Sequence, residues 1–230
     1  MMCNSDVSQP HAEDAVIKWT AQSTKRLEQA VQEAELKTSC EFVTVIRAWS
    51  GSYGDINTFL SFVASVSALA ALLYLPFDLD PIFVVPAVIG VFIAALVALN
   101  WFCPVGLFTP ERRKNEQVDD AAWFEFGKSG SYRTQDHTGV LVYISEREQQ
   151  VRLVMDDGVV NAVPREVRNG WKSQLGQLLQ SKQWDEELAK IVVAMGEQAG
   201  AHLPRQADDK DELINAPIIG LGKRAFWSRS

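Results

Sequence analysis

The chain has 230 residues, of which 47% are hydrophobic and 22% are charged, as in an ordinary globular protein. Its net charge is −7 and no segment of it forms a basic patch. A general nucleic-acid-binding role is therefore excluded, because neutralising phosphates needs a basic surface. Three widely spaced cysteines, Cys3, Cys40 and Cys103, form no C-x-x-C motif. They indicate neither a disulfide framework nor a zinc site.

The N-terminal region predicts one helix followed by one strand. We expect residues 1–12 to be disordered, and they lack the apolar run of a cleaved signal peptide. Apolar residues recur at helical spacing over residues 15–36, which predicts an amphipathic helix. Glu41–Arg47 (EFVTVIR) has the composition of a β-strand. A strand of this length cannot bury itself, so its partners must come from elsewhere in the chain.

Two charge-free segments follow, at residues 56–75 and 81–102. Each reaches about 30 Å as a helix, which is the thickness of a hydrocarbon core. The short connector between them requires an antiparallel arrangement, so we predict a transmembrane hairpin. The alternative is a pair of buried helices in a soluble core, for which two adjacent charge-free runs are uncommon. Neither segment contains an ionisable residue that would indicate an ion or proton pathway.

The charges at the ends of the hairpin predict its orientation. Arg47 precedes the first segment and three consecutive basic residues, 112–114, follow the second. The connector carries only Asp78 and Asp80. By the positive-inside rule, both long flanks face the cytoplasm. The sequence therefore predicts a two-pass protein of the inner cell membrane, with both termini cytoplasmic and the lipid bilayer as a partner.

The region after the hairpin predicts further helices and strands. The strands are Gly139–Ser145 and Gln150–Met155, and the helices cover residues 110–128, 164–181 and 184–202. Residues 206–230 predict an irregular tail. Because the N-terminal helix and strand are too small to fold alone, we interpret residues 13–47 and 105–205 as one split domain. The predicted fold class is α/β (α+β), with a small mixed sheet flanked by helices and interrupted by the hairpin.

Three sequence features stand in a recognisable order around the hairpin. TSCE at 38–41 precedes one strand, HTG at 137–139 precedes another, and a polar segment at 202–213 follows the last helix. This order resembles the bacterial branch of the TPM-domain family that carries an inserted membrane hairpin, although Cys40 stands where that family has a glycine. The family also includes thylakoid-lumen acid-phosphatase-like and photosystem-repair proteins. The resemblance implies a small mixed sheet, and functions that range from weak phosphatases to accessory subunits and assembly factors.

Acidic residues gather at three of the predicted turns: Glu41, Asp156, Asp157, Asp208 and Asp209. If the fold brings two of these turns together, their oxygens would suit a hard cation, so Ca²⁺ or Mg²⁺ is the candidate cofactor. Such a metal could position a phosphate ester, which is the chemistry that the resemblance suggests. The alternative is that Asp-Asp-Gly is an ordinary turn and that 208–212 is a solvated acidic run.

No catalytic residue is assigned from the sequence. The chain contains no G-x-S-x-G, Walker or G-x-G-x-x-G motif. His137 precedes a strand and His202 ends a helix, and structural roles are favoured for both. Two functional hypotheses remain. The favoured one is a non-enzymatic interaction or accessory module for other membrane proteins, and the alternative is a metal-dependent phosphatase acting on phosphomonoesters.

Overall fold

The structure is a computed structural model, described here for residues 19–51, 54–74, 80–102, 109–134, 136–181, 183–205, 213 and 215–220. The described residues up to Ser50 and from Glu116 to Gly220 form one compact unit, and those from Gly51 to Asn115 form a second. In chain order the α-helices are α1 (Ala21–Glu35), α2 (Gly54–Tyr74), α3 (Pro81–Phe102), α4 (Glu111–Ser129), α5 (Asp157–Ala162), α6 (Arg165–Gln177) and α7 (Trp184–Gly200).

The first unit is built on a four-stranded mixed sheet of order β3-β2-β1-β4. Its strands are β1 (Glu41–Arg47), β2 (Gly139–Ser145), β3 (Gln150–Met155) and β4 (Ile218–Gly220). β1 runs parallel to β2 and to β4, whereas β2 and β3 are antiparallel. The central strand β1, which precedes the apolar helices, thus pairs on both sides with strands that follow them. The predicted fold class is confirmed.

Both faces of the sheet are covered, because the side chains of its strands alternate between two cores. Phe42 and Val142 point to the side of α1, α6 and α7, where the fully buried Trp171 lies. Val43 and Leu141 point to the opposite side, where α4 supplies a smaller apolar cluster. β1 and β2 are buried along almost their whole length, as continuous apolar strands between two layers of helices should be.

Several helix boundaries differ from the predicted ones. α1 begins at Ala21 rather than at residue 15, because the Thr20 side chain accepts the N–H of Ser23 and caps the helix there. The predicted residues 15–18 lie outside the described part of the chain. The helix expected at 164–181 ends at Gln177 and continues only as the 3₁₀ turn Leu178–Gln180.

Two elements were not predicted. Asp156 does not close a simple turn but caps the six-residue helix α5. The tail expected to be irregular from residue 206 contains β4, whose residues Ile218–Gly220 pair with the end of β1. Both elements are too short to show a hydrophobic period, and β4 depends on β1 for its backbone hydrogen bonds.

The second unit contains two apolar helices that pack together. The mean hydropathy is 1.9 over Gly54–Tyr74 and 2.9 over Ile82–Leu99, so both helices are long and apolar enough to cross a membrane. Only 11% of the first window and none of the second is buried. Ser65 is buried and donates its hydroxyl to the carbonyl of Val88 at 2.9 Å, which ties α2 to α3. Small residues at this contact let the two backbones approach closely.

Candidate functional site

The TSCE turn and the segment after α7 hold each other in place. Thr38 donates its hydroxyl to the carbonyl of Leu203 at 2.7 Å, and the Ser39 N–H binds the same carbonyl at 3.0 Å. The Ser39 hydroxyl donates to the carbonyl of Pro204 at 3.0 Å. Two of the three sequence features, TSCE at 38–41 and the polar segment that begins at 202, are therefore joined by hydrogen bonds. Their structural role is to hold the segment after α7 against the turn between α1 and β1.

The third feature, HTG at 137–139, brings β2 against a neighbouring turn. A Cβ atom on Gly139 would overlap the carbonyl oxygen of Ser131, so only glycine fits this close approach. The carbonyl of Thr138 accepts the N–H of Glu41, which starts the pairing of β2 with β1. His137 has a φ of 54°, and its carbonyl accepts the N–H of Gly158 at 3.0 Å.

Glu41 and Asp156 lie at the same edge of the sheet. Glu41 begins β1 directly opposite Gly139 of β2, and the N–H of Asp156, just after β3, donates to the Gly139 carbonyl at 2.9 Å. β2 separates the two acidic residues, so their backbones are about 10 Å apart at the usual strand spacing. Strand alternation directs the Glu41 side chain to the face of Val43, which carries α4.

The other predicted ligands do not complete a metal site with Glu41 and Asp156. Glu41 is buried, whereas Asp157, next to Asp156, is exposed. Asp208 and Asp209 lie outside the described residues. Among the residues that the structure describes, no group of three or more His, Cys, Asp or Glu side chains has the geometry to hold a metal ion.

Asp156 makes two local contacts that sequence reasoning did not assign. One carboxylate oxygen accepts the N–H of Asp157 at 2.8 Å, and the other lies 3.1 Å from Nδ1 of His137. The His137 side chain is 63% exposed, and that of Asp156 is 14% exposed. The Asp156 carboxylate therefore orients the exposed imidazole of His137. The same carboxylate also caps α5.

A second polar cluster lies at the opposite edge, where β1 and β2 end. The Ser50 hydroxyl lies 2.7 Å from the Tyr143 hydroxyl and donates to Ser145 at 2.6 Å, and Ser145 in turn donates to Glu148. Burial raises the pKa of Tyr143 to about 12. This cluster fastens the chain to the end of the sheet just before α2 begins. Its side chains bind one another, so we assign it a structural role.

An ion pair lies beside this cluster. Arg47 binds Glu125 of α4 through its Nη2 at 2.7 Å and through its Nε at 3.2 Å. Their side chains are only 12% and 6% exposed. The pair therefore joins the central strand to α4 inside the protein.

A cleft of about 400 Å³ opens along β3, between α4 and α6. Its floor is Val151–Val154 of β3, one wall carries Asp119 and Trp123 of α4, and the other carries Lys172 of α6. Trp123 is 60% exposed, although large aromatic side chains normally bury most of their surface. We call this feature the β3 cleft. The sequence offers one signal for it, the adjacent aromatic residues Trp123 and Phe124, because one helix face cannot bury both.

A second, shallower groove of about 600 Å³ runs between α1 and α7. Its rim is charged, with Arg26 and Glu186 forming one ion pair at 2.9 Å and Lys37 and Glu197 another at 2.7 Å. Lys190 lies in this groove. The charged rim is typical of a solvated helix surface.

Comparisons with known proteins support the fold. No family model matches the chain, and no curated protein matches it. The BA42 protein from the psychrophilic bacterium Bizionia argentinensis, solved by NMR, has a similar structure with a TM-score of 0.54 and 16% sequence identity. The match covers 87% of this chain and 94% of that one. At this identity the likeness concerns the fold alone.

Proposed function

We propose that this protein is a membrane-anchored, non-enzymatic interaction module that assists other membrane proteins and belongs to the TPM-domain family. The observation that carries the proposal is the β3 cleft with its exposed Trp123. An aromatic side chain at the mouth of a cleft is the usual anchor of a protein–protein contact.

Membrane anchoring is supported by the exposure of α2 and α3. The core helices of a soluble protein are mostly buried, whereas side chains such as Phe59, Leu73 and Ile82 are at least 64% exposed. Exposing so much apolar surface to water is unfavourable, and a bilayer removes that cost. The basic residues beside these helices support a cytoplasmic position for the other unit in a two-pass inner-membrane protein.

The orientation has a direct test in intact cells. A cysteine introduced by Asp80→Cys, between the two helices, should react with a membrane-impermeant maleimide added outside. A cysteine introduced by Lys190→Cys should react only after the cells are lysed. Labelling of both variants, or of the second alone, in intact cells would contradict the proposed topology.

The interaction function is tested by photocrosslinking in the cell membrane. A photoreactive phenylalanine analogue at position 123 should form an adduct with another membrane protein. The same analogue at position 190, in the charged groove, is the matched control and should form none. If position 123 forms no reproducible adduct in the native membrane, the proposed function is wrong.

A second candidate function, metal-dependent phosphatase activity, is supported by the shared edge of Glu41 and Asp156. Carboxylate oxygens are the ligand type that Ca²⁺ and Mg²⁺ prefer. If Ca²⁺ or Mg²⁺ binds there, the folded protein gains about 2.7 kcal/mol at a hundredfold excess over Kd. We would follow thermal unfolding during the titration and expect Asp156→Asn to remove the shift. An absent shift at millimolar metal, or no phosphomonoester hydrolysis with either metal, would eliminate this candidate.

A further inference from the structure

We propose that the outer edge of β3 accepts an extended peptide strand from a partner protein, and that this strand carries an acidic side chain opposite Lys172. The inference rests on the interaction function proposed above and deepens it by naming the binding surface and the chemistry of the partner. It is an addition of a strand to the sheet, in which the peptide's backbone supplies most of the contacts.

The backbone of β3 presents unused hydrogen-bonding groups on its outer side. β3 is the terminal strand of the sheet, and no strand of the described residues pairs with its outer edge. Asp156 donates its N–H inward to Gly139, and successive residues of a strand alternate in direction. The N–H groups of Leu153 and Met155 therefore point outward. Such a row of N–H and C=O groups is a template for another strand.

The Arg152 side chain occupies part of this edge, so only the remainder is open to a partner strand. Nη1 of Arg152 donates to the carbonyl of Val151 at 3.1 Å. The same guanidinium donates to Asp119 on α4 and, through Nη2, to Oε1 of Gln150 at 2.8 Å. The open section is thus centred on Leu153 and suits a short strand, in keeping with a cleft of about 400 Å³.

The walls of the β3 cleft select the side chains of that strand. Lys172 is exposed on α6, and none of the described carboxylates lies within ion-pair distance of it. Asp119, the acidic residue of the opposite wall, is engaged by Arg152. The charge left without a partner is positive, so an acidic peptide side chain is favoured. Trp123 offers an apolar surface to a neighbouring side chain of the peptide.

The same charges disfavour a second copy of this chain as the occupant. A symmetric pairing of two β3 edges would place the same surface on both sides of the contact. The two Lys172 side chains, one from each copy and both without a partner carboxylate, would then come close to each other. Like charges that meet across an interface are unfavourable, whereas a partner strand with an acidic residue relieves the imbalance.

Peptide binding to the full-length protein in lipid nanodiscs tests this inference. The probes are fluorescent, capped eight-residue peptides of alternating valine and threonine, with glutamate, glutamine or lysine at the centre. We expect saturable binding of the glutamate peptide, followed by fluorescence anisotropy, and binding of the lysine peptide about tenfold weaker. Two further glutamate peptides carry backbone N-methyl groups on the odd or on the even residues. One of these two should lose binding and the other should keep it, because only alternate N–H groups of an added strand face β3.

Charge reversal at the cleft provides the second readout. Lys172→Glu should weaken the glutamate peptide about fivefold and strengthen the lysine peptide. Lys190→Glu makes the same change of charge on an exposed helix position outside the cleft and should change neither affinity. Since both lysines are exposed, both variants should fold, which the thermal unfolding midpoint checks.

Three results would overturn the inference. They are no saturable binding up to about 1 mM peptide, equal effects of the two N-methylated peptides, and a dimer of this chain that Lys172→Glu dissociates. If position 123 still crosslinks to a membrane protein in cells while the peptides fail, the interaction function stands and strand addition is refuted. If the crosslink is absent as well, both proposals fail.

Discussion

Removing one partner of the buried ion pair between Arg47 and Glu125 should destabilise the domain strongly. Glu125→Leu leaves the guanidinium of Arg47, only 12% exposed, without its carboxylate. Arg47→Met leaves a carboxylate that is 6% exposed without its cation. The double variant replaces both charges by apolar side chains of similar volume, so neither charge is left alone inside the protein.

The magnitude follows from the geometry of the pair. Two unit charges 2.7 Å apart attract each other by about 6 kcal/mol at an effective dielectric constant of about 20. Desolvation of both groups offsets much of this attraction, so the net contribution of the intact pair is small. Breaking a buried pair from one side costs about 3–5 kcal/mol. Because Arg47 keeps some contact with water, we expect a loss of about 3 kcal/mol for Glu125→Leu and recovery to within about 1 kcal/mol in the double variant.

Urea unfolding of the full-length protein in mild detergent, followed by tryptophan fluorescence, measures these differences. Trp171 is fully buried in the main core and reports on the unit that contains the pair. Glu33→Gln is the control, because Glu33 pairs with Lys37 at 3.1 Å on the surface with its side chain 56% exposed. It should cost less than about 0.5 kcal/mol.

The reasoning would be refuted by either of two results. One is a loss below about 1 kcal/mol for Glu125→Leu, which would mean that Arg47 finds an equivalent environment without its carboxylate. The other is a double variant as unstable as the worse single variant. In that case the loss would come from packing rather than from an uncompensated charge.

Two further predictions concern other positions of the same unit. Burial raises the pKa of Tyr143 from 10.0 to about 12, so its neutral form contributes stability that is fully present below pH 10.0 and is lost as the pH rises towards 12. The loss amounts to about 2–3 kcal/mol, and Tyr143→Phe should remove that part of the alkaline decrease in the urea midpoint. Gly139→Ala should cost at least about 2 kcal/mol in the same assay, because its Cβ would overlap the Ser131 carbonyl. Gly170→Ala, where the structure leaves open space on α6, should instead stabilise by about 0.4–1 kcal/mol, and a similar loss at both glycines would contradict the steric argument.

Elements with a strong local signal could be predicted from the sequence. The observed bounds of β1, β2, β3 and α3 coincide with the predicted ones, because each is an apolar run bounded by turn residues or charges. The short helix α5 and the three-residue β4 were missed, since neither is long enough to show a period. At the start of α5 a turn was predicted instead of a helix, because Asp156 followed by Asp157 and Gly158 has the composition of a turn.

The candidate sites could be predicted from the sequence less well than the helices and strands. Glu41 and Asp156 were both named as candidate ligands, but their shared edge depends on β2 lying between β1 and β3. Trp123 and Lys172 come from different helices and face one cleft only because α4 and α6 cover opposite sides of the same strand. No spacing along the chain indicates that these two residues face the same cleft. Exposure of Trp123 likewise depends on what packs against α4, and local sequence does not specify this.

The sequence by itself determined two apolar helices and three of the four strands, because composition and period act within a few residues. The tertiary structure decided the strand order, the parallel pairing of β1 with strands beyond the hairpin, and the open edge of β3. Any apolar strand can pair with any other through its backbone. Which pair forms depends on the packing of α1, α4, α6 and α7 over the two faces, a property of the whole domain.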